Sequence, residues 1–112
     1  MSLASVPEVM PAQIVEVASV DEVPEGKAKV VVAEGRPIAL CNYGGKIFAI
    51  DDVCTHDRGP LDQGELIGKE IECPRHGARF DVTTGVATRL PAIRPVRTYP
   101  VHVTDGKISV EV

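Results

Sequence analysis

No stretch of this 112-residue chain comes near the roughly 18 consecutive apolar residues that a membrane-spanning helix needs, and no block of like charge runs along it. Its 12 basic and 16 acidic side chains leave a net charge of −4, so the phosphate backbone of a nucleic acid and an anionic membrane surface would both repel it. The opening segment MSLASVPEVMP has no basic stretch, no apolar stretch and no twin arginine. No export signal is therefore expected, and the cytoplasm is the expected compartment. Cysteine is scarce and odd in number; three thiols cannot all pair, which argues against a disulfide framework. Leucine is scarce too, with 5 against 17 valines and 8 isoleucines, a bias that favours pleated strands over helices. Ten glycines and nine prolines fall below the roughly 25–30% of a low-complexity tract and point to a turn-rich globular chain. The length fits one domain, residues 1–112.

What is present reads as strands joined by short turns. Tyr99, Val101 and Val103 alternate with polar residues, Asp105-Gly106 supplies a turn, and Ile108, Val110 and Val112 alternate again. A two-residue turn there pairs Val103 with Ile108, Val101 with Val110 and Tyr99 with Val112, all on one face. Gly44-Gly45 plays the same part between RPIALCN and KIFAIDD, both apolar on two faces, and places Cys41 opposite Phe48. A third hairpin in GELIGKEIEC pairs Leu66 with Ile71, QIVEV and KAKVVVA add two strands, and SVDEVPEG forms a helical turn or loop. The expectation is an all-β, antiparallel fold.

The chemistry lies in two short segments. Cys54-x-His56 follows the IFAIDDV strand, Cys73-Pro74-Arg75-His76 follows the third hairpin, and together they read C-x-H-x16-C-x2-H. Each loop ends in a glycine, Gly59 or Gly77, able to take a turn that other residues resist. Two cysteines and two histidines from two loops of matching design are the ligand count of a metal centre. Two thiolates and two imidazoles fit tetrahedral Zn²⁺, and also a [2Fe–2S] cluster in which histidine replaces cysteine on one iron. A Cys-His catalytic pair would use only half of the constellation. Cys41 reads as a free core thiol, and His102 as a solvated strand residue.

The run CTHDRGPLDQGELIGKEIECPRHGARFDVTTG resembles the cluster-binding region of Rieske proteins, with CTH and CPRHG as its two ligand boxes. The flanking strands and LPAIRP extend the resemblance from about Ile14 onward. It implies a Rieske-type fold: an antiparallel β-sandwich or barrel base, with a smaller cluster-binding subdomain inserted at about residues 52–90. It implies a Rieske-type [2Fe–2S] cluster as cofactor, with Cys54 and Cys73 on the inner iron and His56 and His76 on the outer one. Within the superfamily the chain is most similar to the ferredoxin components of bacterial aromatic-ring-hydroxylating dioxygenase systems. That branch implies a soluble one-electron carrier, not itself an enzyme, between a flavin-dependent ferredoxin reductase and a terminal oxygenase. The high-potential branch has a disulfide between its ligand loops, where Gly59 and Arg75 stand here, and cluster-bonding hydroxyls where Ala78 and Phe80 stand. Fewer donors to sulfur imply a potential low in the Rieske range of about −150 to +300 mV. Asp57, Arg58 and Arg75 are expected to rim the docking surface. The other readings are a small Rieske subunit of a nitrite-reductase-like enzyme, the Rieske domain of an oxygenase large subunit, and a zinc-stabilised binding module without redox function.

Overall fold

A computed structural model of the chain describes residues 13–112, and the segment in which no export signal was read lies outside them. In chain order the strands are β1 (Ile14–Ser19), β2 (Ala28–Ala33), β3 (Arg36–Tyr43), β4 (Lys46–Asp51), β5 (Leu66–Ile67), β6 (Glu70–Glu72), β7 (Arg79–Asp81), β8 (Ala87–Arg89), β9 (Thr98–Tyr99), β10 (Val101–Thr104) and β11 (Lys107–Glu111). They form three antiparallel sheets, ordered β1-β11-β10, β2-β3-β4-β9 and β5-β6-β7-β8. SVDEVPEG supplies one 3-10 turn, Val20–Glu22, tied back by the Ser19 N–H donating to the Glu22 carboxylate at 3.0 Å. Among the described residues no helix is long and apolar enough to cross a membrane.

The middle sheet explains why RPIALCN and KIFAIDD are apolar throughout. Successive strand residues point to opposite faces. Ile38, Leu40, Ile47 and Ala49 therefore pack with Ile108 and Val110 of the first sheet. Ala39, Cys41 and Ile50 face the other way, into a second core with Leu61, Ile71, Phe80 and Val82. Both ligand-type cysteines, Cys54 and Cys73, belong to that second core. The expected registers Cys41–Phe48, Leu66–Ile71, Val103–Ile108 and Val101–Val110 are all present.

The pairing of Tyr99 with Val112 is not. Pro100 has no N–H to donate to a ladder, and the chain changes sheet there. Tyr99 pairs with Ala49 in the middle sheet, while Val112 exchanges backbone hydrogen bonds with Gln13. Tyr99 still reaches the same core as Ile108 and Val110, but Val103, at 51% exposure, does not.

Candidate metal centre

The first ligand loop leaves β4 and the second connects β6 to β7; the two share one backbone design. In each, the cysteine N–H donates to the carbonyl five residues on, Cys54 to Gly59 at 2.8 Å and Cys73 to Ala78 at 2.6 Å. In each, the N–H four residues on donates back to the cysteine carbonyl, Arg58 to Cys54 at 2.7 Å and Gly77 to Cys73 at 3.0 Å. The residue that closes this ring has a left-handed backbone in both loops, Arg58 at φ 65° and Gly77 at φ 77°. The expectation for Gly59 is thus corrected: Arg58 takes the turn. Gly59 is there for room, since a Cβ would lie 3.0 Å from Arg75 Cδ and 3.2 Å from Asp57 Oδ1.

This framework brings the four candidate ligands together and sorts them by depth. Cys54 and Cys73 are fully buried, and neither is in a disulfide. His56 and His76 are exposed, their rings edge to face with centroids 5.4 Å apart. The ligand-type atoms of Cys54, Cys73 and Asp57 all lie within 4.8 Å of one another, and no imidazole nitrogen joins that group. A single tetrahedral ion with bonds of about 2.0–2.3 Å would draw its ligand atoms to within about 4 Å of each other. The spread of sulfur inside and nitrogen outside suits two metal atoms, one for each donor type, and the residues fit a histidine-ligated [2Fe–2S] centre. Burial pushes the Cys54 thiol above its ordinary value, so it is no ready nucleophile and needs a bound cation to become a thiolate.

Asp57 is the second correction. Its side chain is turned inward, 13% exposed, where the sequence reading had it on the rim. Oδ1 accepts the Gly59 N–H at 2.9 Å and lies 3.9 Å from Cys73 Sγ. Oδ2 lies 3.3 Å from both Arg75 Nε and His76 Nδ1, yet it is buried without a hydrogen bond. The Gly59 N–H foremost, with the Arg75 guanidinium beside it, holds its carboxyl below the usual range. The signal in the sequence is Asp57-x-Gly59, the spacing at which an aspartate accepts a backbone N–H two residues on.

Two further residues position the first loop, and neither stood out in the sequence. Asp52 is buried, and its Oδ1 accepts the Leu61 N–H at 2.9 Å and the Asp62 N–H at 2.7 Å, closing the loop at its far end. Burial, with the nearby Asp62 carboxyl, pushes Asp52 up to about 6. The Thr55 hydroxyl donates to the Arg94 carbonyl at 2.8 Å, pinning the LPAIRP segment beside His56. Cys41 lies in the β3 core, its thiol pushed up to about 12 by burial and then by Asp52. His102 pairs with Glu111 at 2.6 Å on the outer sheet.

Among known families, the Rieske [2Fe–2S] domain matches residues 13–100. The ferredoxin component of the naphthalene 1,2-dioxygenase/salicylate 5-hydroxylase systems of Ralstonia sp is 39% identical over 97 residues, which are 87% of this chain and 93% of that protein. The ferredoxin of carbazole 1,9a-dioxygenase from Nocardioides aromaticivorans superposes with a TM-score of 0.83 at 37% identity, covering 87% of this chain and 95% of that one. A chain of the complex of reduced oxygenase and oxidized ferredoxin in carbazole 1,9a-dioxygenase also superposes at 0.83, with 32% identity over 88% of this chain and 92% of that one.

Proposed function

The chain belongs to the Rieske [2Fe–2S] family, and from that premise we propose that it is the ferredoxin component of a ring-hydroxylating dioxygenase system. It carries single electrons to a terminal oxygenase and catalyses no reaction of its own. A flavin-dependent ferredoxin reductase supplies the electrons, and the cytoplasm, where thiols stay reduced, is the compartment. Cys54 and Cys73 ligate the inner iron and His56 and His76 the outer one. Residues of about 52–90 form the cluster-binding portion of a single domain spanning 1–112.

When bound, the cluster supplies a site that takes up one electron and returns it. The residues of the chain supply everything else. The second core keeps water from both cysteine sulfurs, and the two matched hydrogen-bonded rings hold the loops in shape. The exposed imidazoles of His56 and His76 give a partner its shortest approach. Ala78 and Phe80, both fully buried, offer no hydroxyl to the cysteine sulfurs, which supports a potential toward the low end of about −150 to +300 mV.

The observation that carries this reading is the sorting of donors, with buried sulfurs within 4.8 Å of each other and no imidazole nitrogen among them. Its test is a dithionite titration of freshly purified protein followed by visible absorbance. A coloured protein that bleaches with one electron per chain is expected, and Cys73→Ala should come out colourless. A colourless zinc protein would contradict the proposal, as would a midpoint above roughly +100 mV.

A further inference from the structure

The charge on this chain is unevenly placed. Six of its seven arginines, Arg58, Arg75, Arg79, Arg89, Arg94 and Arg97, fall between residues 58 and 97, while the net charge of the whole is −4. The two ligand boxes, residues 54–60 and 73–77, and the LPAIRP segment pinned to the first, residues 90–95, carry three arginines, Arg58, Arg75 and Arg94, against one acid, Asp57, a net of +2 over these three stretches. That acid is turned inward and is engaged by Arg75. Arg58 and Arg94 are exposed, and among the described residues no carboxylate lies within 4.0 Å of either.

The backbone at Arg58 adds an independent argument. The equivalent position in the second loop is Gly77, in the same left-handed conformation. A side chain there costs on the order of 1–2 kcal/mol, which glycine avoids. Arg58 bears that strain with a side chain that touches no acid and closes no core. Folding gives it no reason to be arginine. All three cations are, moreover, arginine rather than lysine, the residue whose planar fork matches a carboxylate.

We propose that Arg58, Arg75 and Arg94 form a cationic collar around the exposed imidazoles of His56 and His76, and that it docks a carboxylate-bearing surface of the terminal oxygenase. This rests on the reading that electrons leave by the histidine edge, and adds the sign and chemistry of the surface met there. Ile93, 79% exposed beside Arg94, gives the collar an apolar contact. Outside these three stretches the chain carries a net of −6, against +2 within them, and this local excess of cations beside the imidazoles favours an acidic partner surface there.

Small oxidants of opposite charge test the collar without the partner. Holoprotein reduced with dithionite is mixed in stopped flow with ferricyanide, an anion, or with tris(phenanthroline)cobalt(III), a cation, over a range of salt. One electron passes from the reduced protein to the oxidant, leaving ferrocyanide or the cobalt(II) complex, and recovery of the visible absorbance gives the rate. The collar predicts that the ferricyanide rate falls roughly tenfold from low to moderate salt and that the cobalt rate does not fall. Net charge alone predicts the opposite signs. Arg58→Glu combined with Arg94→Glu should invert both slopes with the visible spectrum unchanged. A ferricyanide rate that rises with salt in the native protein, or slopes indifferent to the double substitution, would overturn the collar. Failure of the electron-carrier reading looks different, because the protein would then not bleach with dithionite at all.

Discussion

Gly64 lies where the first ligand loop passes behind the second, and an alanine there should separate them. Its N–H donates to the Leu61 carbonyl at 2.9 Å, and its α-carbon is pressed against the peptide between Glu72 and Cys73. A Cβ at this position would overlap the Glu72 carbonyl oxygen and lie 2.9 Å from the Glu72 carbonyl carbon, closer than real Cβ atoms come. Both obstacles are backbone, so no rotamer relieves them; the Glu72–Cys73 peptide must retreat by roughly 1 Å or carry the strain. Overpacking typically costs about 1–3 kcal/mol, and a rigid backbone neighbour puts this case at or above the upper end. For a domain of this size, ~3 kcal/mol corresponds to a drop in melting temperature of about 12–24 °C. The displaced peptide carries Cys73, so the iron content of purified Gly64→Ala should fall as well. Gly68→Ala is the control: its φ is 60° but nothing lies within 4 Å of the added methyl, so only a backbone cost of roughly 1–2 kcal/mol applies. Thermal unfolding and iron assays on both variants decide the matter. Gly64→Ala no less stable than Gly68→Ala, with full iron, would refute the close approach.

Asp81 is buried; burial alone would raise its carboxyl, but Thr83, through hydroxyl and N–H, together with Lys69, overrides that and holds it below the ordinary value. Its contribution is therefore present above the unfolded carboxylate range near pH 4 and is lost as pH falls through the folded value. The gap between wild type and Asp81→Asn, about 1.5 kcal/mol at pH 7, should narrow in denaturant titrations below pH 4, and a gap that holds or widens there would contradict this. Tyr99 donates its hydroxyl to Asp51, and Tyr99→Phe should cost about 1–3 kcal/mol by leaving that carboxylate short of a donor; a neutral substitution in urea unfolding would show that water replaces it. His102→Ala breaks only an exposed pair with Glu111, so stability should move by less than about 1 kcal/mol and the visible spectrum not at all; loss of colour would place His102 in the metal centre.

The sequence shows some of these features more plainly than others, and the reason is how far each signal reaches along the chain. Gly44-Gly45 and Gly68-Lys69 fix registers between residues a few positions apart, so Cys41 opposite Phe48 and Leu66 opposite Ile71 follow from turn length alone. The four candidate ligands stand out because cysteine and histidine are rare here and their spacing repeats. Tyr99 went astray because one proline moves the chain to another sheet, and strict alternation carries no mark of that change. The charge of Asp57 predicts a rim position, whereas Gly59, Arg75 and His76 draw the carboxylate in. Arg58 gives no sign in sequence of being the turn-former, because glycine is the usual occupant of a left-handed position, and only the matching hydrogen bonds of the two loops show that it is the counterpart of Gly77. Gly64 is ordinary in sequence; what makes it special is a peptide eight residues away.

The most direct test of the central claim is pulsed electron paramagnetic resonance on dithionite-reduced protein carrying ¹⁵N-labelled histidine, with iron and acid-labile sulfide assayed on the same sample. A histidine-ligated cluster requires two irons and two sulfides per chain, with two histidine ¹⁵N nuclei coupled to the unpaired spin and both ¹⁵N couplings replaced by ¹⁴N couplings in a sample grown with unlabelled histidine. A cluster signal without histidine coupling, or one metal ion per chain and no sulfide, would contradict it.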